Sequence, residues 1–114
     1  MKHIDTEQTG RLGKVANLVK EIGAEFLVRE NNKTSLITVT ACSVSPDLKR
    51  AILFITVLPE KKEEEVLSFV QRKRSELRET LKKRMTTKNV PFLDIMIDQG
   101  EKNRQKIDEL LHSK

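Results

Sequence analysis

Apolar residues along this chain recur first at helical spacing, then at strand spacing, then at helical spacing again. Val15, Leu18, Val19, Ile22, Phe26 and Leu27 fall at steps of three, four and one, the stripe of an amphipathic helix, and predict a helix over residues 11–30. Thr9 is placed to cap its start, although Gly10 and Gly13 weaken the first turn. Gly23-Ala24 suggests a point of close packing, and Asn31-Asn32 ends the helix.

Residues 34–44, TSLITVTACSV, are rich in β-branched types and predict a strand. Its inward phase changes midway. Ile37 and Val39 share one face, Cys42 and Val44 the other. One extra residue near Thr40-Ala41 reconciles the two halves, so a β-bulge is expected there. Ser45-Pro46-Asp47-Leu48 reads as a turn, with Asp able to bond nearby backbone amides. Residues 50–58, RAILFITVL, predict a second strand pairing with the first as an antiparallel hairpin, and Pro59 ends it. Ala51, Leu53, Ile55 and Val57 lie on one face, and Ile52, Phe54 and Leu58 on the other. Apolar residues on both faces mark a central or covered strand.

Residues 60–87 read as helical, with Glu60, Glu63, Glu64 and Glu65 early, where the helix dipole favours negative charge. Val66, Phe69, Val70, Leu77 and Leu81 continue one stripe, but charged residues occupy it at Lys73-Arg74, so a break or bend is expected at Lys73–Ser75. Residues 92–98 alternate cleanly after Pro91, with Leu93, Ile95 and Ile97 inward and Asp94, Met96 and Asp98 outward. A last helix near 101–112 carries Ile107, Leu110 and Leu111. The order α-β-β-α(α)-β-α is that of an α+β layer: a three-stranded sheet with helices on one face, plus a short C-terminal helix. The Ile52–Phe54–Leu58 face has two readings, a seat for that last helix, which needs to bury Ile107 and Leu110, or a docking patch; the first is preferred.

Charge changes the picture more than composition does. Residues 71–88 hold eight Lys or Arg and two Glu, a net +6 against a formal +5 for all 114 residues. The basicity is therefore local, the footprint of a surface that meets phosphates. Arg74, Arg78 and Lys82, at i, i+4 and i+8, form a cationic stripe whose mutual repulsion calls for a partner anion. Pairing of Glu76 and Glu79 with nearby lysines accounts for mixed signs but not for the excess. Aromatics make up only 4% of the chain, without Trp or Tyr, which argues against a broad stacking platform.

Other chemistry is sparse. Cys42 is alone, so no internal disulfide forms, and it reads as a small core residue. His3 and His112 stand at opposite ends, and Asp94 and Asp98 suggest no paired acid and base. Gly10-Arg11-Leu12-Gly13 matches the Gly-x-x-Gly string of KH domains, but it precedes the first helix and reads as a flexible lead-in. No signal peptide, membrane span, metal site, cofactor motif or catalytic constellation is recognised, and a cytoplasmic, non-enzymatic protein is expected.

Several strings, in order, resemble the ribosome-binding factor A family. Gly10, Arg11, Lys14 and Val15 match its opening, and Ser45, Asp47, Leu48 and Ala51 its hairpin. Leu77, Arg78, Val90, Pro91, Leu93 and Asp98 match its second helical part and last strand, and Glu101, Ile107, Leu110 and Leu111 its tail. Lys73, Arg74 and Ser75 stand where the family carries an Ala-x-Gly kink. Ser75 replaces the glycine, which argues against a turn needing positive φ. The resemblance implies a type II KH-like RNA-binding domain over residues 10–112, behind a flexible stretch 1–9. It implies a monomeric factor that binds 16S ribosomal RNA on the 30S subunit during late maturation, without a cofactor and with a maturation GTPase assisting release. The residues expected to meet RNA are Arg72, Lys73, Arg74, Ser75, Arg78, Lys82, Lys83, Arg84 and Lys88. The alternative is a protein-interaction module, in which the basic helix meets an acidic partner or the apolar sheet face mediates dimerisation.

Overall fold

The computed structural model describes residues 6–31, 35–86 and 90–112. Helix α1 (Thr6–Glu30) leads into strands β1 (Leu36–Val44) and β2 (Arg50–Leu58). A 3-10 turn at Glu60–Lys62 opens α2 (Glu63–Arg72), which is followed by α3 (Arg74–Arg84), β3 (Phe92–Ile97) and α4 (Glu101–His112).

The sheet order is β1-β2-β3, with β2 central as its two-sided apolarity requires. β1 and β2 pair antiparallel, and their register shifts between Val39 and Ala41, so Thr40 is the extra residue of the expected bulge. β3 returns parallel to β2 after the helical crossover, placing Leu93 beside Ala51 and Ile95 beside Leu53. The hairpin turn is closed by Ser45, whose Oγ donates to Asp47 Oδ1 (2.6 Å) and accepts from Arg50 N (3.0 Å). Asp47 Oδ1 also accepts from Lys49 N (3.0 Å). Leu48 takes the left-handed region at φ 62° within this brace.

The core lies between one sheet face and α1, α2 and α3. Val19, Ile22, Phe26 and Leu27 from α1 meet Leu53, Ile55 and Val57 from β2 and Val70, Leu77 and Leu81 from the crossover. At Gly23 α1 packs closely on β2: a Cβ there would lie 2.7 Å from Leu53 Cδ1. Cys42 packs against this core. Burial pushes its thiol up to about 12, against a smaller downward pull from Lys20.

α1 starts at Thr6 rather than near residue 11, so Thr9, Gly10 and Gly13 lie inside it and Thr9 is not its cap. Leu12 and Ala16 pack on the core and hold this end despite the weak propensity of glycine. The Gly10–Gly13 string is thus helical, not a loop. Of the expected flexible stretch, residues 1–5 lie outside the described residues. Asn31 closes the far end, its N–H donating to Leu27 O (2.9 Å); Asn32 and Thr34 lie outside the described residues.

α4 crosses the other face of the sheet beside β1, where Arg104 and Asp108 line a pocket with Ala41 and Ser43. Phe54, on that face, is fully buried. The expected seat for the last helix is therefore real, with one correction: Leu111 is buried while Leu110 is 71% exposed. Leu58, at the end of the same face, is left exposed.

Asp98 fixes this arrangement. It leaves β3 with its N–H bonded to Ile55 O (2.7 Å), and its side chain is only 7% exposed. Oδ2 accepts from the bulge hydroxyl of Thr40 (2.5 Å), Oδ1 from Gly100 N (2.8 Å), and both oxygens from Arg104 Nη1 (2.7 Å each). Gly100, at φ 110°, supplies a turn that other residues make at a cost. Burial pushes the Asp98 carboxyl up most strongly, but the bonds from Thr40, Gly100 and Arg104 together outweigh it and hold it below the ordinary range.

Candidate nucleic-acid interface at the helix bend

α2 and α3 break at Lys73, as the interrupted stripe predicts. Lys73 turns the chain at φ −95° and ψ 3°, with its N–H on Val70 O (3.0 Å) and its carbonyl accepting Leu77 N–H (3.0 Å). This is a negative-φ turn that any L-residue adopts, so the bend needs no glycine and Ser75 costs it nothing. Val66 and Val70 before the bend, and Leu77 and Leu81 after it, stay buried, so the bend swings the charged interruption off the core.

The side chains at the bend do two kinds of work. Lys73 Nζ lies 3.3 Å from Glu30 Oε1 at the end of α1 and 3.5 Å from Glu76 Oε2. The hydrogen bond to Glu30, then the charge of Glu76, holds the ammonium above its ordinary pKa. Arg74 reaches Asp94 Oδ1 on β3 (3.3 Å) and donates through Nε to Gln71 O (3.2 Å). Arg78 donates to Pro91 O (3.2 Å) and Val90 O (3.0 Å), and its guanidinium lies 4.4 Å from the Phe92 ring centroid. Further along β3, Gln71 Nε2 donates to Ile95 O (2.8 Å) and Ile95 N to Asp94 Oδ1 (2.9 Å). These contacts occupy the backbone N–H and carbonyl of Ile95, which an added strand would otherwise use.

The expected stripe of Arg74, Arg78 and Lys82 is therefore divided. Arg74 and Arg78 turn toward β3, and Arg78 is half-buried rather than free on the surface. Lys82 stays exposed, 3.4 Å from Glu79. Arg84 pairs with Glu25 of α1 (2.5 Å). Arg72 is exposed and lies near the Ser68 hydroxyl (3.3 Å). Ser75 and Lys83 are exposed, and Lys83 has no ion pair among the described residues. Lys88 lies outside the described residues.

Segment charge alone overstates the local field, because Glu25, Glu30 and Asp94 arrive from α1 and β3. The pairs at Arg74, Lys82 and Arg84 are nonetheless exposed. Such pairs are worth only about 0–1 kcal/mol, and a phosphate can take the place of the carboxylate. The bend thus presents Arg72 and Lys83 outright and Arg74, Lys82 and Arg84 by exchange. Phe92, 67% exposed beside Arg78, belongs to the same surface. A search for cationic residues passes over it, although the alternation of β3 places it outward.

The four-helix, three-stranded α+β arrangement with this bend is a type II KH-like fold. It is similar to the crystal structure of ribosome-binding factor A from Thermus thermophilus at a TM-score of 0.66, covering 74% of this chain and 92% of that one at 22% identity. The Ribosome-binding factor A family model matches residues 11–111. Relatives of that name include the protein of Coxiella burnetii, 32% identical over 103 residues, covering 89% of this chain and 87% of the relative. That of Methylobacterium nodulans is 33% identical over 110 residues, covering 92% and 82%. The chain belongs to the ribosome-binding factor A family. No described helix is long and apolar enough to cross a membrane.

Proposed function

We propose that this chain is a non-enzymatic ribosome assembly factor that binds 16S rRNA of the small subunit during late maturation. The observation that carries the reading is the family match over residues 11–111. The surface at the bend agrees with it: cations in exposed ion pairs, or without an ion pair among the described residues, carried on helices packed against the sheet. Such a surface recognises RNA through backbone and shape more than base sequence. The protein acts as a cytoplasmic monomer, and a maturation GTPase assists its release; these two parts rest on the family resemblance alone.

Filter binding of 16S rRNA over a range of salt tests the reading. The affinity should fall log-linearly with salt. Lys83→Ala, which removes one exposed cation without an ion pair among the described residues, should lower the slope by about one. Salt-independent binding, or none, would reject the RNA reading and favour an acidic protein partner.

A further inference from the structure

Phe92 is an aromatic ring that the core does not use. It opens β3 with 67% of its surface exposed. The ring partner among the described residues is Arg78, 4.4 Å from the centroid. Arg78 is itself anchored by the carbonyls of Val90 and Pro91 at 3.0 and 3.2 Å, so ring and guanidinium form one braced unit. Arg74, Ser75, Glu79 and Leu93 complete a cleft of about 320 Å³ around them, at the small end of ligand-site volumes.

We propose that Phe92 and Arg78 form a stacking platform for one unpaired nucleotide of single-stranded RNA. The base lies on Phe92, its phosphate meets Arg74, and Glu79 accepts from its amino edge. This rests on the RNA reading and adds to it a subsite for a splayed-out base. Two observations and the chemistry of base pairing select this occupant. The cleft mouth is cationic, which suits a phosphate-bearing ligand. On the strand beside it the Ile95 N–H and carbonyl are already held by Asp94 and Gln71 side chains, so an extended peptide meets an interrupted edge. A paired base has neither a free face nor a free edge to offer, so the nucleotide must be unpaired.

The chain contains no Trp, so Phe92→Trp places a single fluorophore on the platform. A short single-stranded RNA should quench its emission saturably, and the matching duplex should not. Leu110→Trp, on the exposed side of α4, should show no quenching. Phe92→Ala should weaken single-strand binding by about 5- to 150-fold and leave the salt slope unchanged, because no phosphate contact is lost. Phe92→Tyr should bind as the unmodified chain does. Full RNA affinity in Phe92→Ala, with loss of binding only on reversing Arg72 and Lys83 to Glu, would overturn the platform and leave the RNA reading standing. Unquenched emission from bound Phe92→Trp would do the same. No RNA binding by the unmodified chain would overturn both.

Discussion

Replacing Asp98 by alanine should loosen the junction of the bulge, the end of β3 and the start of α4 in one step. The carboxylate accepts from Thr40, Gly100 and Arg104 at 2.5–2.8 Å, from a side chain only 7% exposed. Hydrogen bonds to a charged group contribute about 1.5–3 kcal/mol each when their partners are stranded. Here they are not wholly stranded. Thr40 Oγ1 keeps Phe54 O within 3.2 Å, and Arg104, 30% exposed, regains water. The expected loss is about 2–3 kcal/mol, or roughly 8–12 °C in melting temperature for a domain of this size. The lowered pKa fixes the sign with pH. Its contribution is fully present above the ordinary aspartate value of ~3.9 and disappears as pH falls through the lower folded value. Thermal melts by circular dichroism from pH 7 to pH 2 measure both effects. The gap between the unmodified chain and Asp98→Asn should be widest near neutral pH and close on acidification. A melting point for Asp98→Ala within about 2 °C of the unmodified chain, given the same scaling, would refute this account, as would an Asp98→Asn gap that does not narrow on acidification.

Gly23→Ala gains about 1 kcal/mol in helix propensity but places a Cβ 2.7 Å from Leu53 Cδ1 in a close-packed core. A net loss of about 1 kcal/mol is expected, with Gly23→Val losing more than about 2; a higher melting point for Gly23→Ala would contradict it. Ser75→Gly, which restores the family glycine, should cost a few tenths of a kcal/mol in helix propensity and leave the bend unchanged, since Lys73 already makes it at negative φ; stabilisation on denaturant melting would show otherwise. Arg78→Ala should cost about 1–2 kcal/mol through lost carbonyl bonds and ring contact. Hydrogen exchange should then rise first at the start of β3, and uniform exchange would count against a clamp there.

The features that the sequence announced are those written in local periods. The bulge at Thr40 follows from a phase change within one strand, and the bend at Lys73 from charges falling on an apolar stripe. The central place of β2 follows from apolar residues on both its faces. What stayed hidden depends on residues distant in the chain. Glu25, Glu30 and Asp94 partner the basic segment from other elements, so its charge count exceeds its free charge. Arg78 looked like one more exposed cation until the carbonyls of Val90 and Pro91 came beneath it. The Thr40–Asp98–Arg104 clasp joins residues that no spacing rule connects. With α4 seated through that clasp, Leu111 faces the sheet and Leu110 faces solvent, a choice that three apolar residues on a short helix do not decide.

Sedimentation of cell lysate through a sucrose gradient tests the central claim most directly. The chain should travel with free small subunits and be absent from full ribosomes. The combined reversal of Arg72, Lys82 and Lys83 to Glu changes exposed cations that hold no part of β3, so it should melt normally and remain at the top of the gradient. Unaltered co-sedimentation of that variant would place the contact away from the bend, and an unmodified chain absent from the small-subunit fractions would contradict the assembly role itself.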